Sequence, residues 1–208
     1  MKKYILILIV LSIIHSVSDA QSKYYRRSEP RLGYGVKAGA GISGQTTTNK
    51  DAGYKVSNIL SFNAGGYCNY FFYKFLAVQP ELNIAQRGSH WEDHYDNMQD
   101  AVTYLDLPLL VRFQPVRYFS VHAGPQISFR LKATQKDMVT GIKSEIGDYY
   151  RTSDYGVAAG IEANLPNHIN LTIRYIVGIL PATTDYKYVD PWYNNSLQFS
   201  IGYRIKGR

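Results

Sequence analysis

The fold class the sequence predicts is all-β: an eight-stranded antiparallel up-and-down transmembrane β-barrel behind a cleaved N-terminal signal peptide. Three observations lead there. Segments of about a dozen residues alternate apolar and polar side chains, the period-2 pattern of a strand with two unlike faces. The connections between them alternate short and long. The polar face is crowded with glycine and carries charges of both signs, which suits the inside of a narrow barrel better than a face open to water.

The chain begins "MKKYILILIVLSIIHSVSDAQ": two lysines, an apolar run from Tyr4 to Ile14, then small and polar residues up to Ala20. Basic, apolar and small-residue regions in that order are a secretory signal peptide. The run is shorter than the ~20 residues of a spanning helix, and no stop-transfer run follows it. Removing Lys2, Lys3 and Asp19 lowers the formal charge from +7 to +6, so the exported chain stays basic. That charge suits anionic lipid headgroups and is too dispersed to point to nucleic acid. The single cysteine, Cys68, excludes an internal disulfide and lies far from the junction, which argues against a lipidated amino terminus. The expected division is residues 1–20 as signal peptide, 21–31 as a periplasmic tail and 32–208 as an outer-membrane barrel.

Eight strands are expected at 32–43, 59–72, 76–88, 102–114, 118–131, 154–165, 169–180 and 195–205. They are longer than the usual globular strand of about 5–6 residues and suit a tilted bilayer crossing of about 9–11. Short connections fall at 73–75, 115–117 and 166–168, and long polar ones at 44–58, 89–101, 132–153 and 181–194. Such sorting is the habit of outer-membrane barrels, whose periplasmic turns are short; an even strand number places both termini in the periplasm.

One face is mainly apolar and carries no charge in its central part. In the seventh strand, "INLTIRYIVGI", it holds Ile169, Leu171, Ile173, Tyr175, Val177 and Ile179. The other face holds Lys37, Asn63, Asn69, Gln79, Glu81, Asn83, Asp106, Arg112, His122, Gln126, Arg130, Asp154, Glu162, Arg174, Gln198 and Arg204, padded with glycines. An interior of nearly balanced charge requires ion pairs, for which the guanidinium fork is the best donor. A filled, salt-bridged lumen is therefore expected, with Arg174 reaching Glu162 or Asp154. Aromatic girdles are expected around Tyr70–Tyr73, Phe75, Tyr118 and Phe119 at one end, and around Tyr104, Tyr149, Tyr150, Trp192 and Tyr193 at the other. Pro80, Pro108 and Pro125 lie within strands, where bulges or a broken register are expected.

The segments "GVKAGAGIS", "LAVQPELNIAQRG", "YLDLPLLVRF", "VHAGPQISFRL", "DYGVAAGIEANL" and "LTIRYIVGI" together resemble the PorT-like outer-membrane β-barrel family of Bacteroidetes-type bacteria, over nearly the whole mature chain. The resemblance implies an outer-membrane location, an eight-stranded barrel and an association with type IX secretion. It implies no catalytic motif.

The stretch "SHWEDHYDNMQD" holds His90 and His94 with Glu92, Asp93 and Asp96. Imidazoles and carboxylates can bind zinc, yet the spacing is not that of a zinc protease helix, and a solvated loop is the simpler reading. His122 is expected inside a strand with no nucleophile assigned to it. No catalytic, cofactor-binding or metal-binding residue is assigned, and no cofactor. The expected function is a non-enzymatic structural, assembly or secretion-associated barrel. The expected partners are outer-membrane lipid and a periplasmic or secretion-system protein, with the basic mature start "KYYRR" as a contact, and the barrel is expected to be monomeric. A small-solute porin and a rim enzyme acting on lipid or peptide are the alternatives.

Overall fold

The structure, a computed structural model, describes residues 32–47, 55–94, 96–184 and 191–207. The expected signal peptide, the tail and "KYYRR" lie outside the described residues. Among the described residues there are nine strands: β1 (Leu32–Thr47), β2 (Lys55–Phe71), β3 (Leu76–Glu92), β4 (Asn97–Val116), β5 (Phe119–Asp137), β6 (Lys143–Glu145), β7 (Ser153–Asn164), β8 (Ile169–Gly178) and β9 (Trp192–Lys206). Eight of them form a closed antiparallel ring, β4-β3-β2-β1-β9-β8-β7-β5, sealed by the β4–β5 pairing. The short β6 hangs outside the ring on β5, through Thr134–Glu145, Gln135–Ser144 and Lys136–Lys143. Closure pairs the backbone donors and acceptors of both would-be edges, which a wall in hydrocarbon requires.

The burial pattern is inside out for a protein in water. Along β8, Asn170, Thr172 and Arg174 are buried, while Ile169, Leu171, Ile173, Tyr175 and Val177 are exposed. Along β4, Asp106, Arg112 and Gln114 are buried while Leu107, Leu109, Val111 and Phe113 are exposed. Apolar rows such as these, repeated around the ring, form a belt about nine residues tall, the height of the hydrocarbon layer for tilted strands.

The wall is uneven. β4 and β5 run for 20 and 19 residues, whereas β8 has 10. Ten extra residues add about 30 Å along the strand direction. Much of what was expected as loop, notably 44–58 and 89–101, is therefore strand: β1 and β2 continue to Thr47 and from Lys55, and β3 and β4 to Glu92 and from Asn97. Beyond the belt the outward residues meet no hydrocarbon, so the apolar alternation stops while the hydrogen-bonded ladder continues.

The prolines do not break the register. Pro80 pairs with Leu109, Pro108 with Gln126 and Pro125 with Val157, each in step with its neighbours. The shifts lie elsewhere, at Tyr34/Gly35, Asn58/Asn63, Thr103/Tyr104 and Phe113/Val116. A missing N–H removes one rung, but only an inserted residue shifts the pairing.

Inward glycines have two uses. A Cβ on Gly39 would fall 1.9 Å from the carbonyl oxygen of Phe199, so the backbones of β1 and β9 close up there. At Gly160 a Cβ would lie 2.5 Å from the carbonyl oxygen of Ile173 and 2.8 Å from His122 Nε2, so a side chain as well as the backbone uses the space there. At the short-turn end Tyr70, Phe72, Tyr73, Tyr118 and Phe119 are exposed as a girdle requires, but Phe71 is buried. At the other end Tyr104 and Tyr150 are buried in the lumen, not placed in a girdle. Tyr104 shares the inward parity of Asp106 on β4.

Candidate functional site

Among the described residues, buried charged side chains converge in the lumen, and strand parity puts them there. Its centre is Glu81 of β3. Arg174 of β8 meets it with both terminal nitrogens, Nη1 to Oε2 at 2.6 Å and Nη2 to Oε1 at 2.8 Å, across the full width of the barrel. Lys37 of β1 donates to Oε2 at 2.6 Å, and the amides of Gln79 and Asn83 donate at 2.6 and 3.0 Å. A carboxylate with five donors is fully satisfied, the condition under which a buried charge is tolerated. Arg174 Nε also donates to His122 Nε2, at 3.2 Å. As acceptor, Nε2 uses its ring lone pair in that bond. His122 is thereby part of the central cluster, and its ring nitrogen points at a guanidinium.

Toward the short-turn end, Arg112 pairs with Glu162 at 2.6 Å and reaches Gln79 and Asn164 at 3.1 and 3.2 Å. Toward the long-loop end, Arg87 pairs with Asp106 and lies over the Tyr104 ring, 5.0 Å from its centroid. Both arginines are 1% exposed, so each is enclosed by the side chains around it. The expectation that Arg174 meets Glu162 or Asp154 is corrected: its partner is Glu81, Glu162 serves Arg112, and Asp154 accepts from Asn194 at 2.8 Å. In so narrow a lumen a long side chain such as that of Arg174 reaches the opposite wall, so its partner is set by barrel closure, whereas Arg87 and Asp106 pair between the neighbouring strands β3 and β4.

At the long-loop end a cap packs into the lumen. Between β5 and β7 the chain forms β6 and a short 3-10 turn, Gly147–Tyr149, and then turns inward. Ile146, Tyr150 and Ala182 bury themselves against Val102, Tyr104 and Ala133. Ile146 N–H donates to the Ala133 carbonyl at 3.1 Å and Arg151 N–H to that of Ala182 at 2.7 Å, stitching the cap to the wall and to the 179–184 segment. The Tyr150 hydroxyl donates to Asp100 Oδ2 at 2.9 Å and lies 3.3 Å from the Gln45 amide. Burial, followed by the Asp100 charge, raises the Tyr150 phenol well above its usual range, so it remains a donor at neutral pH. Replacing Tyr150 by Phe should loosen the cap by about 1–3 kcal/mol, seen as faster limited proteolysis of 138–152. A phenol whose folded pKa is raised stabilises the closed form below its unfolded value of about 10 and loses that contribution as pH rises beyond it. Cap cleavage in the parent should therefore accelerate above about pH 10 through this group, an effect that Tyr150→Phe removes.

His90 and His94 belong to a hairpin, not to a wide loop. His90 is in β3, paired with Gln99 of β4, and its Nε2 lies 2.7 Å from Asn97 Oδ1. Asp96 N–H donates to Asp93 Oδ1 at 2.7 Å, tightening the turn. Among the described residues no three metal-ligating side chains come together. Of the lumen residues that sequence reading missed or placed elsewhere, Arg87 and Tyr104 lie within expected strands, Asp100 in the extension of β4 and Tyr150 in the cap.

Residues 19–183 match the model of a family described as outer membrane protein beta-barrel domain. Among solved structures, Neisserial surface protein A (NspA) is 12% identical, with 82% of this chain and 96% of that one covered at a TM-score of 0.54. Ail of Yersinia pestis, in complex with the heparin analogue sucrose octasulfate, is 18% identical, with 85% and 100% covered at a TM-score of 0.49. OprG from Pseudomonas aeruginosa is 12% identical, with 84% and 94% covered at a TM-score of 0.41. At these identities the likeness to NspA speaks for the fold alone. No curated protein sequence matches the chain.

Proposed function

The chain belongs to the outer membrane protein beta-barrel domain family, and from that premise we propose that it is a closed, non-enzymatic barrel with a structural, assembly or secretion-associated role. In this reading both termini are periplasmic, the long-loop end is extracellular, and residues 1–20 are removed on export. The observation that carries the closed reading is the Glu81 cluster, which ties β1, β3 and β8 together across the lumen. A solute path would have to part Arg174 from Glu81 and Arg112 from Glu162, and each opened pair would leave charges without partners.

Planar-bilayer recordings of the purified chain should give no stable openings. Replacing 138–152 by a short Gly-Ser linker should still give none, because the Arg87, Glu81 and Arg112 layers lie beneath the cap. Steady channels in the parent would overturn the closed reading in favour of a porin.

The secretion role is the finer part of the proposal and rests on the PorT-like words. In the fold these words supply lumen: "QPEL" carries Gln79 and Glu81, and "YLDLPLL" carries Asp106. They support barrel interior more directly than any partner. The test is crosslinking of the tagged chain in intact outer membranes followed by identification of what is captured. A periplasmic or secretion-system protein is expected; capture of lipid alone overturns the assembly role. The rim-enzyme alternative predicts lipid or peptide turnover by the purified chain, and none is expected, since His122 is held by Arg174 in the mid-lumen.

A further inference from the structure

We propose that a notch in the outer wall, at the long-loop edge of the apolar belt, binds an uncharged sugar of an outer-membrane glycolipid. On the outward face of β1 the residues run Ile42, Gly44, Thr46, and over Gly44, which has no side chain, lies only the end of the Asn58 side chain. Gly44 pairs with Asn195 of β9, Ile42 with Leu197, and Leu197 with Tyr175 of β8. The result is a recess of about 340 Å³, at the small end of ligand-site volumes of about 300–1,000 Å³.

Its lining is ordered. Ile42, Leu197 and Tyr175 form the side nearer the belt, and Thr46, Asn58 and Asn195 the side nearer the polar extension. The recess thus straddles the level at which acyl chains give way to headgroups, and it presents an apolar surface to the one and hydrogen-bonding groups to the other. No charged side chain lines it, so it offers no counter-ion to a phosphate. Amide and hydroxyl groups match the donors and acceptors of sugar hydroxyls. Asn195 Nδ2 donates to Thr46 Oγ1 at 3.1 Å, which fixes both groups while each retains further hydrogen-bonding capacity. The half-exposed Tyr175 ring supplies a flat apolar face with a polar tip for the carbon side of the sugar.

The choice of leaflet rests on the orientation proposed above. The test is to extract the full chain from its outer membrane in mild detergent and quantify glycolipid bound per chain by mass spectrometry. A Cβ at Gly44 would lie 2.1 Å from Asn58 Oδ1, the end of a flexible side chain. Gly44→Leu can therefore fill the notch by turning Asn58 aside, and it should lower retained glycolipid roughly tenfold. Asn195→Ala, which only shortens an outward side chain, should lower it as well, and heat-modifiable gel migration confirms that each barrel is folded. Equal retention in the parent and both variants overturns the proposal, as does retention of phospholipid without sugar. Orientation is read separately, by labelling Val139→Cys in a Cys68→Ser background with a membrane-impermeant thiol reagent on intact cells. Val139 is 80% exposed on the turn after β5, so it labels if the long-loop end is outside, whatever the notch holds.

Discussion

Replacing Glu81 by glutamine should destabilise the barrel by about 3–5 kcal/mol, measured as a lower urea midpoint for unfolding from lipid vesicles. Glutamine keeps the size and one oxygen of the side chain but removes the charge that Lys37 and Arg174 share. Both cations would then remain buried, 7% and 3% exposed at their side chains, without the carboxylate to which both are bonded. The cost comes from stranding them more than from losing the pair itself. Replacing Lys37 and Arg174 by Met together with Glu81→Leu should recover most of the loss, because removing a whole buried ionic group in favour of apolar volume is often neutral or better. If Glu81→Gln alone stays within about 0.5 kcal/mol of the parent, the range typical of innocuous surface changes, the cluster does not hold the lumen together. The Arg112–Glu162 pair shares Gln79 with this cluster, so its variants should couple to Glu81→Gln and not simply add.

How far such a site is legible in a sequence depends on what alternation encodes. It encodes the face on which a side chain lies. Lys37, Glu81, Asp106, Arg112, His122, Glu162 and Arg174 were all assignable to the lumen from parity, and all are buried there. It does not encode which inward residues stand at one height, because that depends on the stagger with which eight strands close. Arg174 and Glu81 are 93 residues apart in the chain and on opposite walls, and no local pattern relates them. The cap was illegible for a different reason. Residues 138–152 read as a polar loop, and only Ile146 and Tyr150 turn inward, through a few hydrogen bonds and a small apolar contact that have no period. The extensions of β3, β4 and β5 lie between these cases. Their ladder persists, but without lipid on the outside the signal that marked the belt is gone.

Two adjacent residues of β8 should demand opposite chemistry. Ile173 sits in mid-belt, paired with Ile161 of β7 and Phe199 of β9, and its side chain is exposed to the outside of the wall. Arg174, one residue on, is buried on the inside. Ile173→Arg should lower barrel stability in vesicles by about 2–4 kcal/mol, the cost of a cation on the lipid face near the midplane, and Ile173→Asp should cost less while still hindering insertion. Arg174→Ile should also destabilise, through the opposite fault: an apolar residue in a place where Glu81 needs a partner. Equal tolerance of Ile173→Arg and the parent residue would mean that water, not lipid, bathes that face, and the inside-out assignment of every strand in the ring would fall with it. A slip of β8 by one residue is no escape, since it would carry Arg174 into the lipid and Ile173 into the charged lumen together. The register of this one strand and the sidedness of the whole wall are therefore tested by the same pair of substitutions.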